Sequence, residues 1–184
     1  MANKTDIIEL LKKNLKYILL ILILLIVFHE YILIIVLFGF MLVMGLLSLR
    51  FSKVVPHISI ETISASAVFF GYIWGWKLGF AFGFITGLAG YIYIGLVKLT
   101  TITKSLLMGF SGILGAIFAM IGFKFVPAFM ISFLISSNLS YFIFSFISSD
   151  KLENLVHAYG DSIFSVIITM QLLNIIYILV QPLV

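Results

Sequence analysis

The chain alternates between long uncharged apolar runs and short breaks made of charges, Gly, Pro or Asn. The runs are Asn14 to Phe28, Tyr31 to Leu49, Ile58 to Ile73, Leu78 to Val97, Ser105 to Phe123, Val126 to Ile147 and Ser162 to Leu183. A helix that crosses a bilayer needs about 20 mostly apolar residues, so each run predicts a helix near that length. The first two runs are ambiguous. They are divided only by His29 and Glu30, with no Gly or Pro to make a turn. That pair either caps a tight extracellular turn or sits inside a bent element that never fully crosses, so that the two runs together cross once. The predicted fold is therefore all-α, a polytopic integral membrane bundle of six or seven transmembrane helices.

Composition narrows the class further. Of 184 residues, 63% are apolar and 10% are charged, with a mean hydropathy of +1.28. Soluble domains are about 45–50% apolar and about 25% charged, so a soluble enzyme, a disulfide scaffold and a disordered regulator are excluded. The balance of 11 Lys+Arg against 7 Asp+Glu gives a net charge of +4. In a soluble protein that sign hints at nucleic acid, but here the charges lie between apolar runs and read as membrane topology and contacts with lipid headgroups. No nucleic-acid partner is expected.

Basic residues concentrate on the cytoplasmic side of membrane proteins. With seven crossings and the N-terminus inside, Lys4, Lys12, Lys13, Lys16, Arg50, Lys53, Lys98, Lys104 and Lys151 fall inside, leaving Lys77 and Lys124 outside. Treating the first two runs as one crossing weakens that bias without reversing it. The start, MANKTDIIELLKKNLK, mixes both signs of charge and has no small-residue cleavage site, so it reads as mature chain. Residues 1–13 form a cytoplasmic N-terminal segment and residues 14–184 one transmembrane domain. The expected location is a prokaryotic cell membrane.

Gly71, Gly75, Gly79, Gly83 and Gly87 recur at every fourth position, followed by Gly90 and Gly95. Glycine at that spacing strips one helix face of side chains and lets a neighbour approach closely. Trp74, Trp76 and Lys77 interrupt the ladder with an interfacial signature, which predicts a tight turn there and two helices sharing the glycines. A second small-residue face, Gly109, Gly112 and Gly115, extends through Ala116 and Ala119. Gly79, Gly83, Gly87, Gly109 and Gly112 are the candidate faces for helix packing or for a partner.

The run ISIETISASAVFFGYIWGWKLGFAFGFITGLAGYIYIG resembles the second and third helices of the substrate-binding S components of energy-coupling factor vitamin transporters. KSLLMGFSGILGAIFAMIG and LLNIIYILVQPLV are similar to their fourth and sixth helices. The resemblance implies a subunit that binds a vitamin or other small molecule in the bilayer. Its partners would be a transmembrane coupling subunit and ATP-binding cassette ATPases. MreD-like membrane proteins, which bind partner proteins and no small molecule, share a similar small hydrophobic pattern and form the rival reading.

Polar side chains at membrane depth are costly and tend to face a cavity or a partner. Glu61 lies four residues after His57 and shares a helical face with it and with Ser64; as a helix-start carboxylate it also complements the positive end of the macrodipole. Asn138, with Ser136, Ser137, Ser140 and Tyr141 around it, interrupts one apolar run, and Gln171 and Asn174 mark a face of the last. The long polar stretch SSDKLENLVHAYGDS reads as a loop that caps this region with His157, Tyr159 and Asp161. Glu61, Asn138, Tyr141, His157, Gln171 and Asn174 are the candidate substrate-binding residues. The alternative for the amides is a hydrogen-bonded clasp between helices.

Enzymatic chemistry has one foothold. Gly109-Phe110-Ser111-Gly112 is similar to the G-x-S-G of rhomboid intramembrane proteases, with Ser111 as nucleophile and His157 as the only downstream base. No H-x-x-x-N set precedes it. There is no H-E-x-x-H, no diphosphate motif and no Walker loop, and the three histidines lie far apart. Without cysteine there is no disulfide or thiolate metal site. No enzyme activity, metal or cofactor is expected.

Overall fold

The computed structural model describes residues 4–54, 61–147 and 151–184. Among these the chain is all-helical. It divides into two compact units, Met1–Leu37 and Phe38–Val184.

The first unit holds α1 (Lys4–Val27) and the opening turns of α2 (His29–Val54). Their junction is a single residue. Phe28 N–H donates to the Leu24 carbonyl at 2.9 Å and Ile32 N–H to the Phe28 carbonyl at 3.0 Å, both four residues apart as in a helix. His29 Nδ1 reaches the Ile26 carbonyl at 2.8 Å. The His29–Glu30 pair therefore sits in a nearly unbroken helical path, and no reversal of the chain occurs there. Leu19, Leu20, Ile23 and Ile26 are exposed along α1, a surface suited to lipid.

The second unit is built around α3 (Thr62–Trp74). Every residue from Ile63 to Gly71 is buried. A helix apolar on all sides must be enclosed on all sides, and α3 is met by α4 (Trp76–Tyr93), α5 (Leu99–Met120), α6 (Phe125–Ile147) and α8 (Met170–Val180). α3 ends at Gly75, whose φ of +92° lies in the left-handed region where glycine carries no Cβ penalty. The chain reverses there into α4, between Trp74 and Trp76. α5 stops at Gly122 in a Schellman motif: Gly122 N–H donates to the Ala119 carbonyl and Phe123 N–H to the Phe118 carbonyl, each at 3.0 Å.

The glycines form the contact between α3, α4 and α5. A methyl group on Gly71 would overlap the Gly112 carbonyl oxygen, and one on Gly112 would overlap the backbone of Gly79. A Cβ on Gly79 would lie 2.6 Å from the Gly71 Cα, and one on Gly83 would overlap the Met108 carbonyl. At Gly87 the nearest atom is the Met108 Sδ, at 2.7 Å, and at Gly109 it is the Phe80 ring, at 2.9 Å. Close backbone approach multiplies small dispersion gains over many atom pairs. Aromatic side chains fill the space that remains: Phe82 lies 4.7 Å from Phe70 and 4.8 Å from Phe38, centroid to centroid.

Among the described residues, four helices are long and apolar enough to cross a membrane: His29–Ser52, Leu99–Met120, Phe125–Ile147 and Asn154–Leu183. α3 is shorter, at 13 residues. The last of the four corrects the expected loop. KLENLVHAYGDSIF folds as α7 (Lys151–Phe164) and runs through a π-helical turn, Ser165–Thr169, into α8. Strong helix formers such as Leu152, Glu153 and Leu155, with no proline, outweigh the single Gly160.

Candidate binding site

α5 begins earlier than its apolar run suggests. Lys98 N–H donates to Thr101 Oγ1 at 2.8 Å, satisfying one backbone donor at the helix start and setting the first turn at Leu99. Lys104 consequently lies on the helix, and its side chain faces inward. On the neighbouring helix, Glu61 occupies the N-cap position of α3, where Ser64 Oγ donates to Glu61 Oε1 at 2.8 Å. A carboxylate there is favoured by the unsatisfied N–H groups of the first turn.

These two charges line one cavity of about 210 Å³, bounded by the start of α3, the first half of α5, the second half of α6 and α7. Ser136, Ser137 and Ser140 supply hydroxyls from one face of α6, while Asn154 and Ser162 face them from α7. Leu107, Met108, Phe133 and Phe144 give it apolar walls. The Ser137 and Ser162 hydroxyls meet across the α6–α7 contact. Asn154 Nδ2 donates to the Phe144 carbonyl at 3.2 Å, tying α7 to the end of α6. Ser136 Oγ is buried and has no hydrogen-bond partner among the described residues. An unmet buried hydroxyl costs about 1–3 kcal/mol, so this one is suited to a water or a ligand.

The π-helical turn anchors the site from behind. Ser165 is fully buried, and its Oγ accepts the Glu61 N–H at 3.1 Å. Single π turns inside α-helices occur frequently at functional sites. Here the turn supports the backbone of Glu61, the one carboxylate among the described residues that lines the cavity.

The residues singled out from the sequence are distributed unevenly. Glu61 lines the cavity. Asn138 does not: its Nδ2 donates to the Leu134 carbonyl at 2.7 Å, and its Oδ1 accepts the Tyr159 hydroxyl at 2.7 Å, which makes a clasp between α6 and α7. Tyr141 lies beside that clasp, its ring 6.4 Å from Tyr159. Gln171 is exposed on α8 and Asn174 half-buried, away from the cavity lining. The side chain of His157 and the whole of His57 lie outside the described residues.

Lys104, Asn154 and Ser162 were not legible as site residues, because a lysine between apolar runs reads as a boundary and a Ser/Asn-rich stretch reads as loop. The i, i+1, i+4 spacing of Ser136, Ser137 and Ser140 was the usable signal. Ser111 is fully buried and donates to the Met108 carbonyl at 2.6 Å and toward the Ser64 carbonyl at 3.2 Å. Its hydroxyl ties α5 to the backbone of α3.

Two larger hollows, of about 440 and 550 Å³, are open lateral grooves with almost wholly apolar linings, one between Met44 and Leu172 and one between Met130 and Ile167. They have the character of lipid-facing surface. Among the described residues, no three His, Asp or Glu side chains gather in a metal-binding group. Comparison with known proteins returns no matching family model, no matching curated protein and no matching solved structure.

Proposed function

We propose that this chain is the substrate-binding membrane subunit of an uptake transporter for a vitamin or similar small molecule, and that the cavity containing Glu61 and Lys104 is its binding site. The observation that carries the reading is the lining itself. A cavity at one end of a membrane bundle, with a carboxylate, an ammonium and a set of hydroxyls set into apolar walls, has the makeup of a small-molecule site. Polar groups gathered in a membrane interior are expensive when they serve packing alone.

The topology that fits this role has six crossings: α2, α3, α4, α5, α6 and the α7–α8 helix. The helical hydrogen bonds through Phe28 support it, since they favour one crossing for residues 14–49. With the N-terminus inside, the cavity then faces outward, as an uptake receptor requires. The chain carries no Walker loop, so energy has to come from partners, in keeping with its resemblance to S components: a transmembrane coupling subunit and ATP-binding cassette ATPases in a prokaryotic cell membrane.

The test is a thermal-shift screen of the detergent-purified chain against a panel of vitamins and their precursors. A saturable rise in the unfolding temperature with one compound supports the reading. No shift with any compound, together with no small molecule released from the purified protein, overturns it in favour of a MreD-like protein that binds only partner proteins.

A further inference from the structure

The cavity and one of the lateral grooves adjoin. Phe133, Ser137 and Ser162 line both the cavity and the groove between Met130 and Ile167. The groove between Met44 and Leu172 shares no lining residue with the cavity. Along α6 the cavity takes residues from Phe133 to Phe144 and the groove those from Pro127 to Ser137. Along the last helix the cavity takes Asn154 to Ser162 and the groove Tyr159 to Ile167. On both helices, then, the groove continues from the cavity into the depth of a candidate membrane span. From Pro127 to Ser137 it follows about 15 Å of helix, at about 1.5 Å per residue.

The seam between the two hollows is weakly held. Ser137 Oγ donates to the Phe133 carbonyl at 2.7 Å and Ser162 Oγ to the Ala158 carbonyl at 2.8 Å, each within its own helix. A serine carries one O–H, so these bonds use both hydrogens. The two hydroxyls that face each other across the α6–α7 contact need no bond to one another, and parting them strands no donor.

Polarity changes across the seam. On the cavity side stands the Ser136 hydroxyl, buried without a partner among the described residues, with Ser140 beside it. On the groove side the walls are Met130, Leu134, Ile163 and Ile167, all exposed. A polar compartment at one end of the bundle, joined to an apolar one that opens on lipid, has the polarity profile of an amphiphile. Lipid tails are as apolar as such a groove, so a tail passes from bilayer to groove at little cost while its head exchanges water for hydroxyls. A wholly polar ligand would leave the connection unused.

We infer that the ligand is a single-chain amphiphile, its polar head in the cavity and its apolar tail in the groove between α6 and α7, passing between Ser137 and Ser162. This rests on the binding-subunit reading above and specifies its substrate class. Size limits the head: a cavity of about 150 Å³ is enough for benzene, so about 210 Å³ takes a head of about ten heavy atoms. The groove, at about 550 Å³, takes the chain.

The experiment uses the full chain in nanodiscs of dimyristoyl phosphatidylcholine and has two arms. In the first, compounds extracted from wild type, Ile163→Trp and Leu172→Trp are identified by accurate mass. Ile163 lines the connected groove and Leu172 the unconnected one, and both are exposed, so neither tryptophan disturbs the packed interior. A single-chain amphiphile that falls at least tenfold in Ile163→Trp and is retained by Leu172→Trp supports the inference. In the second arm, wild type is photolabelled with 1-decanoylglycerol carrying a mid-chain diazirine, and the labelled residues are mapped. Labelling concentrated between Met130 and Leu134 and between Ile163 and Ile167, and suppressed by excess 1-decanoylglycerol, also supports it. A released compound without an apolar tail, or one that Ile163→Trp leaves unchanged, overturns the amphiphile while leaving the binding subunit standing. No compound beyond the disc lipid, with labelling spread evenly over the exposed helices, overturns both readings together.

Discussion

Ser165 and Glu61 are 104 residues apart in the chain, yet the Ser165 hydroxyl accepts the Glu61 backbone N–H at 3.1 Å. The same hydroxyl also reaches the Glu61 carbonyl at 3.4 Å, so Ser165 ties the start of α3, where the cavity's carboxylate sits, to the π-helical turn of the last helix. Ser165→Ala removes the hydroxyl that accepts this part-buried N–H, at a cost of about 1–3 kcal/mol. Thermal unfolding in detergent should detect the loss. An unchanged unfolding temperature would show that the π turn does not hold α3.

The glycine contacts make a sharper comparison. Gly112→Ala forces a methyl group into the Gly79 backbone, where neither partner is a flexible side chain, so the helices must separate. Overpacking of this kind costs about 1–3 kcal/mol or more. Gly39, by contrast, has nothing within 4 Å of where its Cβ would lie. Gly39→Ala should leave stability unchanged or raise it by up to about 1 kcal/mol, since alanine favours the helix. Equal effects at the two positions would contradict the packing described for α4 and α5.

How far the sequence discloses this molecule depends on the signal each part carries. Helices α1 to α6 each contain one of the uncharged runs, although α1 begins at Lys4 and α5 at Leu99, ahead of theirs, and the turn at Gly75 follows from the Trp74 and Trp76 pair that brackets it. Both depend on periodicity and composition, which are local. The cavity is assembled from four helices, and among the described candidates Glu61 alone lines it. Asn138 stood out because it is an amide in an apolar run, but Tyr159 satisfies it locally. Lys104 was hidden for the opposite reason: charge in a membrane sequence marks a boundary unless the helix start is known, and that start depends on the Lys98–Thr101 bond. The π turn, Ser165–Thr169, carries no Gly or Pro that would mark it in the sequence.

The clasp and the cavity are separable by mutation. Tyr159→Phe deletes the hydroxyl that donates to Asn138 and should lower stability by about 0.6 kcal/mol, the average for polar contacts between membrane helices. Ligand affinity should not change. A loss of affinity comparable to that of Glu61→Gln would assign Asn138 to the site after all.

Orientation is accessible because the chain has no cysteine. With six crossings, a cysteine replacing Lys151 reacts with a membrane-impermeant maleimide on intact cells, and one replacing Lys77 reacts only after lysis. The reverse pattern would turn the cavity toward the cytoplasm and contradict an uptake role.

Ligand occupancy in a chain whose cavity has been filled tests the binding site most directly. Ser140 lines the cavity from α6, and Ser140→Trp places an indole in the space of about 210 Å³ that the ligand would need. Mass spectrometry of protein purified in parallel should find a small molecule released from the wild-type chain and none from Ser140→Trp, with both variants equally monodisperse. Equal release from the two would mean that whatever the protein binds lies elsewhere, and the cavity at Glu61 and Lys104 would not be its binding site.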